Sequence, residues 1–275
     1  MLRFCGLALL AATQVAWTGY QTDSGKRVYW PVTEIPMVAD MAGTVDVAGD
    51  AEFAIIQKSM ATWNVVTCQH PKLVWGGLVT GLKANAGKQG KGCGEDDDCT
   101  DGTNLFIFED KATWLAEHPV GMEKVIALTT LYYDSGNGVA QEADMEFSDW
   151  AFNFTATNEP GKIGTDLENT LTHELGHVLG LDHSEDSDAT MYYSAASGDI
   201  SKRTLGPDDI TGLCMIYKDI KPVEPKPDTG PGDPDGSGGG GCETCEGRMG
   251  PAGWILLAGG VVWLGFRVRR QSKSE

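Results

Sequence analysis

Three of the five histidines and one glutamate fall close together: His173, Glu174, His177 and His183. His173 and His177 are one helical turn apart, so an α-helix stacks their imidazoles on one side. Neutral imidazole is a good ligand for a divalent ion, and three of them with a fourth position open describe a catalytic rather than a closed zinc site. An ion held this way lowers the pKa of a water toward neutrality. Glu174 sits beside a ligand on the same rigid helix and is not itself a ligand, which makes it the candidate base for that water's proton. At this chain's His and Gly content, His-Glu-x-x-His-x-x-Gly-x-x-His would arise by accident with a probability on the order of one in 10⁵. The chemistry expected is metal-assisted hydrolysis.

The residues around the motif supply its scaffold. Thr165-Asp-Leu-Glu168 reads as a capping box that opens the helix. Leu167, Leu171, Leu175 and Leu179 recur every four residues as its buried stripe, and the imidazoles lie roughly 160–200° around the axis from them. Gly180 stands where the helix must stop, and His183 then returns toward the first two rings. Upstream, Phe53, Ile56, Met60 and Trp63 mark an amphipathic helix over residues 51–66. Residues 27–30 and 35–38 read as extended, interrupted by Pro31 and Pro36. Residues 73–79, 104–108 and 125–133 read as strands, and a turn cluster over 134–138 leads to another at 141–147. Mixed strands and helices with one hairpin indicate an α+β domain with a mostly parallel sheet and an antiparallel edge.

His173-Glu-Leu-Gly-His177-Val-Leu-Gly180-Leu-Asp-His183 resembles the zinc motif of the metzincin clan. Ser184 after the third His, and Ala189-Thr-Met191-Tyr beyond it, resemble the matrixin branch; so does residues 205–213, where paired Asp residues precede an apolar helix. The resemblance runs over about residues 27–217. It implies a twisted, mostly parallel five-stranded sheet with an antiparallel edge strand, an active-site helix and a small C-terminal subdomain. It also implies a zinc endopeptidase with His173, His177 and His183 as ligands, Glu174 as base, and Met191 in a tight turn as a hydrophobic floor beneath the metal. A protein or peptide substrate would pair as a strand along residues 125–133. The pocket beside the leaving group would be shaped by residues 192–201.

The sequence departs from the matrixin pattern in places. A latency prodomain does not fit between the N-terminal apolar run and the first strand, and Gly92-Cys93 only faintly resembles a blocking segment. The family's additional structural zinc lacks support, because His70 and His118 stand in unrelated contexts. Tyr193, two residues after Met191, is either an oxyanion or metal-approaching residue, as in astacin and serralysin relatives, or an ordinary half-buried tyrosine. Asp96, Asp97, Asp98 and Asp101, with Glu95, crowd one loop bracketed by Cys93 and Cys99; they suit structural calcium or are a solvated acidic loop. Cys93 and Cys99 are simple local partners, whereas Cys68 and Cys214 would tie the first helix to the last. Four cysteines allow three connectivities, and sequence does not choose.

The chain has 275 residues, 41% hydrophobic, with 39 acidic and 21 basic residues and a net charge of −18. That is enough apolar material for a core, and so acidic a surface excludes nucleic acid as a partner. Residues 1–19 read as a secretory signal, residues 20–217 as the folded domain, and residues 218–248 as a Pro/Gly-rich linker. Residues 249–266 are an uncharged apolar run read as a membrane helix, followed by a basic tail at 267–275 that would stay cytoplasmic. Gly-rich stretch, Cys242 and Cys245, apolar helix and Arg-rich end together resemble the C-terminal sorting segments of myxobacterial surface proteins, which implies a processing protease acting near those cysteines. Localisation is then export, with the domain outside, at the surface or membrane-anchored, or released. A reading from another class is a catalytically idle adhesin or binding module on the same scaffold, for which an intact Glu174 has no use.

Overall fold

The computed structural model describes residues 16–84, 100–118, 121–159, 161–223 and 262–271. Four strands run parallel in the order β2 (Lys72–Val79), β1 (Glu34–Asp40), β3 (Asn104–Glu109) and β5 (Ala140–Ser148). β4 (Val125–Asp134) follows, antiparallel to β5 through the turn at 134–138. These five strands are the expected α+β sheet with its antiparallel last member.

Helices α1 (Ala51–Asn64) and α3 (Leu167–Val178) pack together on the sheet. Trp63 is fully buried, and its indole N–H donates to Thr172 O at 2.8 Å, fixing one helix against the other. The short α2 (Lys111–Glu117) folds back directly after β3. Beyond α3 a small C-terminal subdomain holds the two-residue strand β8 (Ser194–Ala195), a single 3-10 turn at Ser201–Arg203 and α4 (Pro207–Tyr217). β6 (Phe154–Thr155) and β7 (Thr165–Asp166) make a separate two-residue pair leading into α3. A disulfide, Cys68–Cys214, joins the chain just past α1 to α4 with Cα atoms 5.6 Å apart. It resolves the pairing of those two cysteines that sequence left open; Cys93 and Cys99 lie outside the described residues.

Three expectations need correction. The helix cap is Asp166, whose Oδ1 accepts from Asn169 N at 2.8 Å, while Thr165 belongs to β7. A carboxylate next to the helix start both satisfies an orphan N–H and complements the positive end of the helix dipole. The helix is also buried all round, with His173, Glu174 and His177 as inaccessible as the leucines, because β4 on one side and the C-terminal subdomain on the other enclose it. Third, residues 262–266 of the run read as a membrane helix are strand. They open β9 (Val262–Gln271), which runs parallel to β4 and antiparallel to β8 and so bridges the two. Alternating β-branched and aromatic residues such as Val262, Phe266 and Val268 suit an extended backbone, and a helix through 249–266 would have to withdraw them from β4. Residues 249–261 lie outside the described residues, and among the described residues no helix is long and apolar enough to cross a membrane.

Candidate active site

α3 places His173 and His177 one turn apart, and Gly180 ends the helix in a left-handed conformation (φ 94°). A Cβ there would also lie 3.0 Å from Val28 O, so both the backbone angle and the close approach require glycine. The chain then turns back and brings the His183 ring within 5.3 Å of His173 and 4.8 Å of His177, centroid to centroid. One ligand nitrogen from each ring lies within 4.8 Å of the other two.

Which nitrogens these are follows from the hydrogen bonds. His173 Nδ1–H donates to Thr190 O at 2.6 Å, and His177 Nδ1–H donates to Leu181 O at 2.8 Å, with the Tyr20 hydroxyl 3.2 Å from the same atom. Backbone carbonyls therefore hold the tautomer that leaves the Nε2 lone pairs turned inward. His173 Nε2 and His183 Nε2 are buried and make no hydrogen bond. Burial foremost holds the His173 and His177 imidazoles well below the usual histidine range, and lowers His183 to about 4. All three are thus neutral at physiological pH. Neutral, inward-facing, buried nitrogens without hydrogen-bond partners are the donor set that zinc takes, and the residues fit that ion.

Glu174 points to the β4 side of the helix. Its Oε2 accepts from Thr129 Oγ1 at 2.6 Å, whereas Oε1 is buried without a hydrogen-bond partner. Burial pushes its carboxyl up to about 8. One oxygen is therefore held and the other left for a proton donor.

Met191 is buried, and its side chain lies against Gly176 of α3 so closely that a Cβ there would overlap Sδ. The turn carrying it is fixed by Asp209 on α4, whose carboxylate accepts from Thr190 N (2.7 Å), Met191 N (2.9 Å) and Gly206 N (2.7 Å). Since Thr190 O in turn holds His173, one buried carboxylate orients both the Met191 turn and the first ring. Tyr193 is half-buried, with its ring 6.5 Å from that of His183 and its hydroxyl accepting from Tyr192 at 3.2 Å. Asp101 is exposed and accepts from Thr103 N at 2.8 Å, an ordinary turn contact. Asp96, Asp97 and Asp98 lie outside the described residues, and the calcium expectation gains no support.

Three site residues were missed from sequence. Thr129 looks like any polar residue on a strand, Asp209 like a helix-start carboxylate, and Lys202 like a surface lysine. Lys202 is in fact 2% exposed; its Nζ lies 3.3 Å from His173 Nδ1 and also donates to Tyr192 O. Burial lowers its pKa to about 7.

Residues 100–218 match the family model for Matrixin. That stretch is matrixin-like. Among curated relatives, 68 residues are 40% identical to "Metalloendoproteinase 4-MMP" of Arabidopsis thaliana, covering 25% of this chain and 19% of that protein. Human "Matrilysin" is 42% identical over 55 residues (20% of this chain, 21% of that one). The rabbit (Oryctolagus cuniculus) "Macrophage metalloelastase" is 41% identical over 64 residues (23% and 14%). The chain thus spans about a fifth or less of the length of these relatives. The similarity is to a part of these metalloproteases only.

Proposed function

We propose that this chain is an exported zinc endopeptidase that hydrolyses peptide bonds in a segment lying extended between β4 and β8. The observation that carries this is the convergence of three neutral imidazoles beside a buried glutamate with one oxygen held and the other available. Held by His173, His177 and His183, zinc would supply Lewis acidity toward a water and toward the scissile carbonyl. Glu174 takes the proton from that water on Oε1 while Thr129 keeps Oε2 in place, and the same oxygen then delivers the proton to the departing amine. Asp209 and Met191 keep the His173 ring fixed during the exchange.

A strand between β4 and β8 is geometrically accommodated, since β9 already runs there by main-chain pairing with both. A peptide substrate would use the same main-chain groups, so it competes with β9 for that edge. Export is supported by the signal-like residues 1–19 and by the Cys68–Cys214 disulfide, which persists in oxidising compartments. The test is digestion of casein or a peptide library by the wild-type chain and by Glu174→Gln. Loss of about 10²–10⁴-fold in kcat is expected for removal of a general base; equal activity of the two chains would defeat the reading and favour an idle binding module.

A further inference from the structure

β9 lies where an extended peptide would have to lie. β4 is paired with β5 along one edge, and β9 covers the other from Val125, opposite Trp263, to Asp134, opposite Gln271. The far side of β9 carries β8, with Trp263 opposite Ser194 and Val262 opposite Ala195. Among the described residues β8 pairs with no other strand, so strand pairing links it to the main sheet through β9 alone. Hydrogen-bonded strands lie about 4.8 Å apart, which sets β4 and β8 roughly 10 Å from each other. A slot of that width holds one extended backbone and no second.

The register carries this strand past the candidate base. Thr129, whose hydroxyl donates to Glu174 at 2.6 Å, stands opposite Phe266, and Leu128 stands opposite Gly265. β9 also lies against α3, the helix that carries His173, Glu174 and His177. Its composition suits the place: Arg267, Arg269 and Arg270 fall within it and Lys273 just after, in a chain of net charge −18. So acidic a domain attracts a basic segment, most strongly at low salt. Residues 224–261 connect β9 to Val223, and at full extension they would reach roughly 125 Å. That length lets the strand leave the slot and return while the domain stays as it is. A tethered segment faces its site at an effective concentration on the order of millimolar, so dilution does not release it. The Cys68–Cys214 crosslink does not enclose it, so a cut in the connection frees it.

We propose that residues 262–271 are a built-in plug: the chain's own strand fills the β4–β8 slot and shuts out extended peptides until it is displaced or severed. Main-chain pairing on both sides supplies the hold. Such pairing is blind to side chains, so any peptide able to lie extended competes for the same groups. That the plug restrains cleavage rests on the endopeptidase reading; that it shuts peptides out of the slot does not.

The test compares the full wild-type chain with the full chain carrying Phe266→Pro and Val268→Pro. Proline cannot donate to a ladder and is excluded from the middle of a sheet, so β9 is unseated while the domain's own residues are untouched. The probe is a fluorescent synthetic peptide with the sequence of residues 261–273, followed by anisotropy, alongside hydrogen exchange of β4 and the initial rate on a peptide library. The proline variant should bind the probe at least about tenfold more tightly, exchange its β4 amides faster, and cleave at least about tenfold faster. Unlabelled peptide should return that rate to the wild-type level. Equal probe binding and equal β4 exchange in the two chains overturn the proposal, as does measurable wild-type cleavage that proceeds no faster once the β4 amides are free. A wild-type rate per chain that climbs on dilution overturns it too, since the strand would then come from a second copy. Should the proline variant not fold, a specific-protease site inserted between Gly240 and Gly241 decides: cutting the folded protein and removing the tail should give the same gains, and no gain overturns the plug. If the variant binds the probe more tightly and neither chain cleaves any peptide, the plug stands and the endopeptidase reading fails.

Discussion

Two clusters of metal-type ligands differ chiefly in how they meet solvent. In the triad His183 remains partly accessible and Glu174 Oε1 is left without a partner. In the Glu109–His118–Glu146 cluster every residue is buried and an aromatic ring lies across the imidazole. Partial access and an available carboxylate oxygen are what metal-assisted reaction requires, and the second cluster does not offer both. The pair teaches that ligand identity alone does not separate catalysis from support. Access does, together with the presence of a base.

The largest expected effect that sharpens this contrast is metal removal. A zinc chelator should abolish peptide cleavage, by more than about 10²-fold on the scale of metal-assisted catalysis, while the buried second cluster makes no difference to the reaction. Cleavage that survives exhaustive chelation, or falls equally when Glu109 is replaced by Gln, would erase the distinction. Next, Gly176→Ala should cost about 1–3 kcal/mol of stability, because its methyl would meet Met191 Sδ and lie 2.8 Å from Trp63 Cζ2. A calorimetric melting point unchanged from wild type would show that the packing of Met191 and Trp63 on α3 is looser than described. Thr129→Val should lower kcat about tenfold with little change in KM, since it frees the Glu174 oxygen that Thr129 holds. An equal fall in both parameters would assign Thr129 to substrate binding.

The smallest effect concerns pH. Glu142 on β5 belongs to neither cluster; burial raises its carboxyl to about 7, and Gly102 N donates to it at 2.5 Å. The folded chain therefore keeps a proton that the unfolded chain has already lost. The stabilisation is full below the ordinary glutamate range and disappears as pH rises through about 7, with a slope of at most about 1.4 kcal/mol per pH unit. Glu142→Gln should flatten the decline in melting temperature between pH 5 and 8. A variant that declines as steeply as wild type would place the titration elsewhere.

What sequence reveals of the two clusters follows from how each is assembled. The triad is written into one helix and the turn after it, so periodicity and a single glycine place its rings near one another. Glu109, His118 and Glu146 come from two strands and a short helix, and only the β3–β5 register and the reversal at Asp110 make them neighbours; read along the chain, His118 stands in an unrelated context. The same holds for Thr129 and Asp209, whose roles arise from contacts 45 and 18–19 residues distant in sequence. Strand positions were legible because alternating and apolar runs are local, as β2, β3, β4 and β5 show. The terminal apolar run was ambiguous on the same ground. An 18-residue uncharged stretch satisfies the length of a membrane helix, but pairing with β4 and β8 is a tertiary fact that hydropathy does not encode.

The Cys68–Cys214 crosslink encloses a loop of 146 residues that contains both clusters, the base and the Met191 turn. Topology then gives a form of damage tolerance. A single backbone cut at any exposed loop inside that span, including one made by a neighbouring copy of the same chain, leaves the two fragments covalently joined. Nicked molecules would run as one band until reduced, and would keep their catalytic parts together for as long as the surroundings stay oxidising.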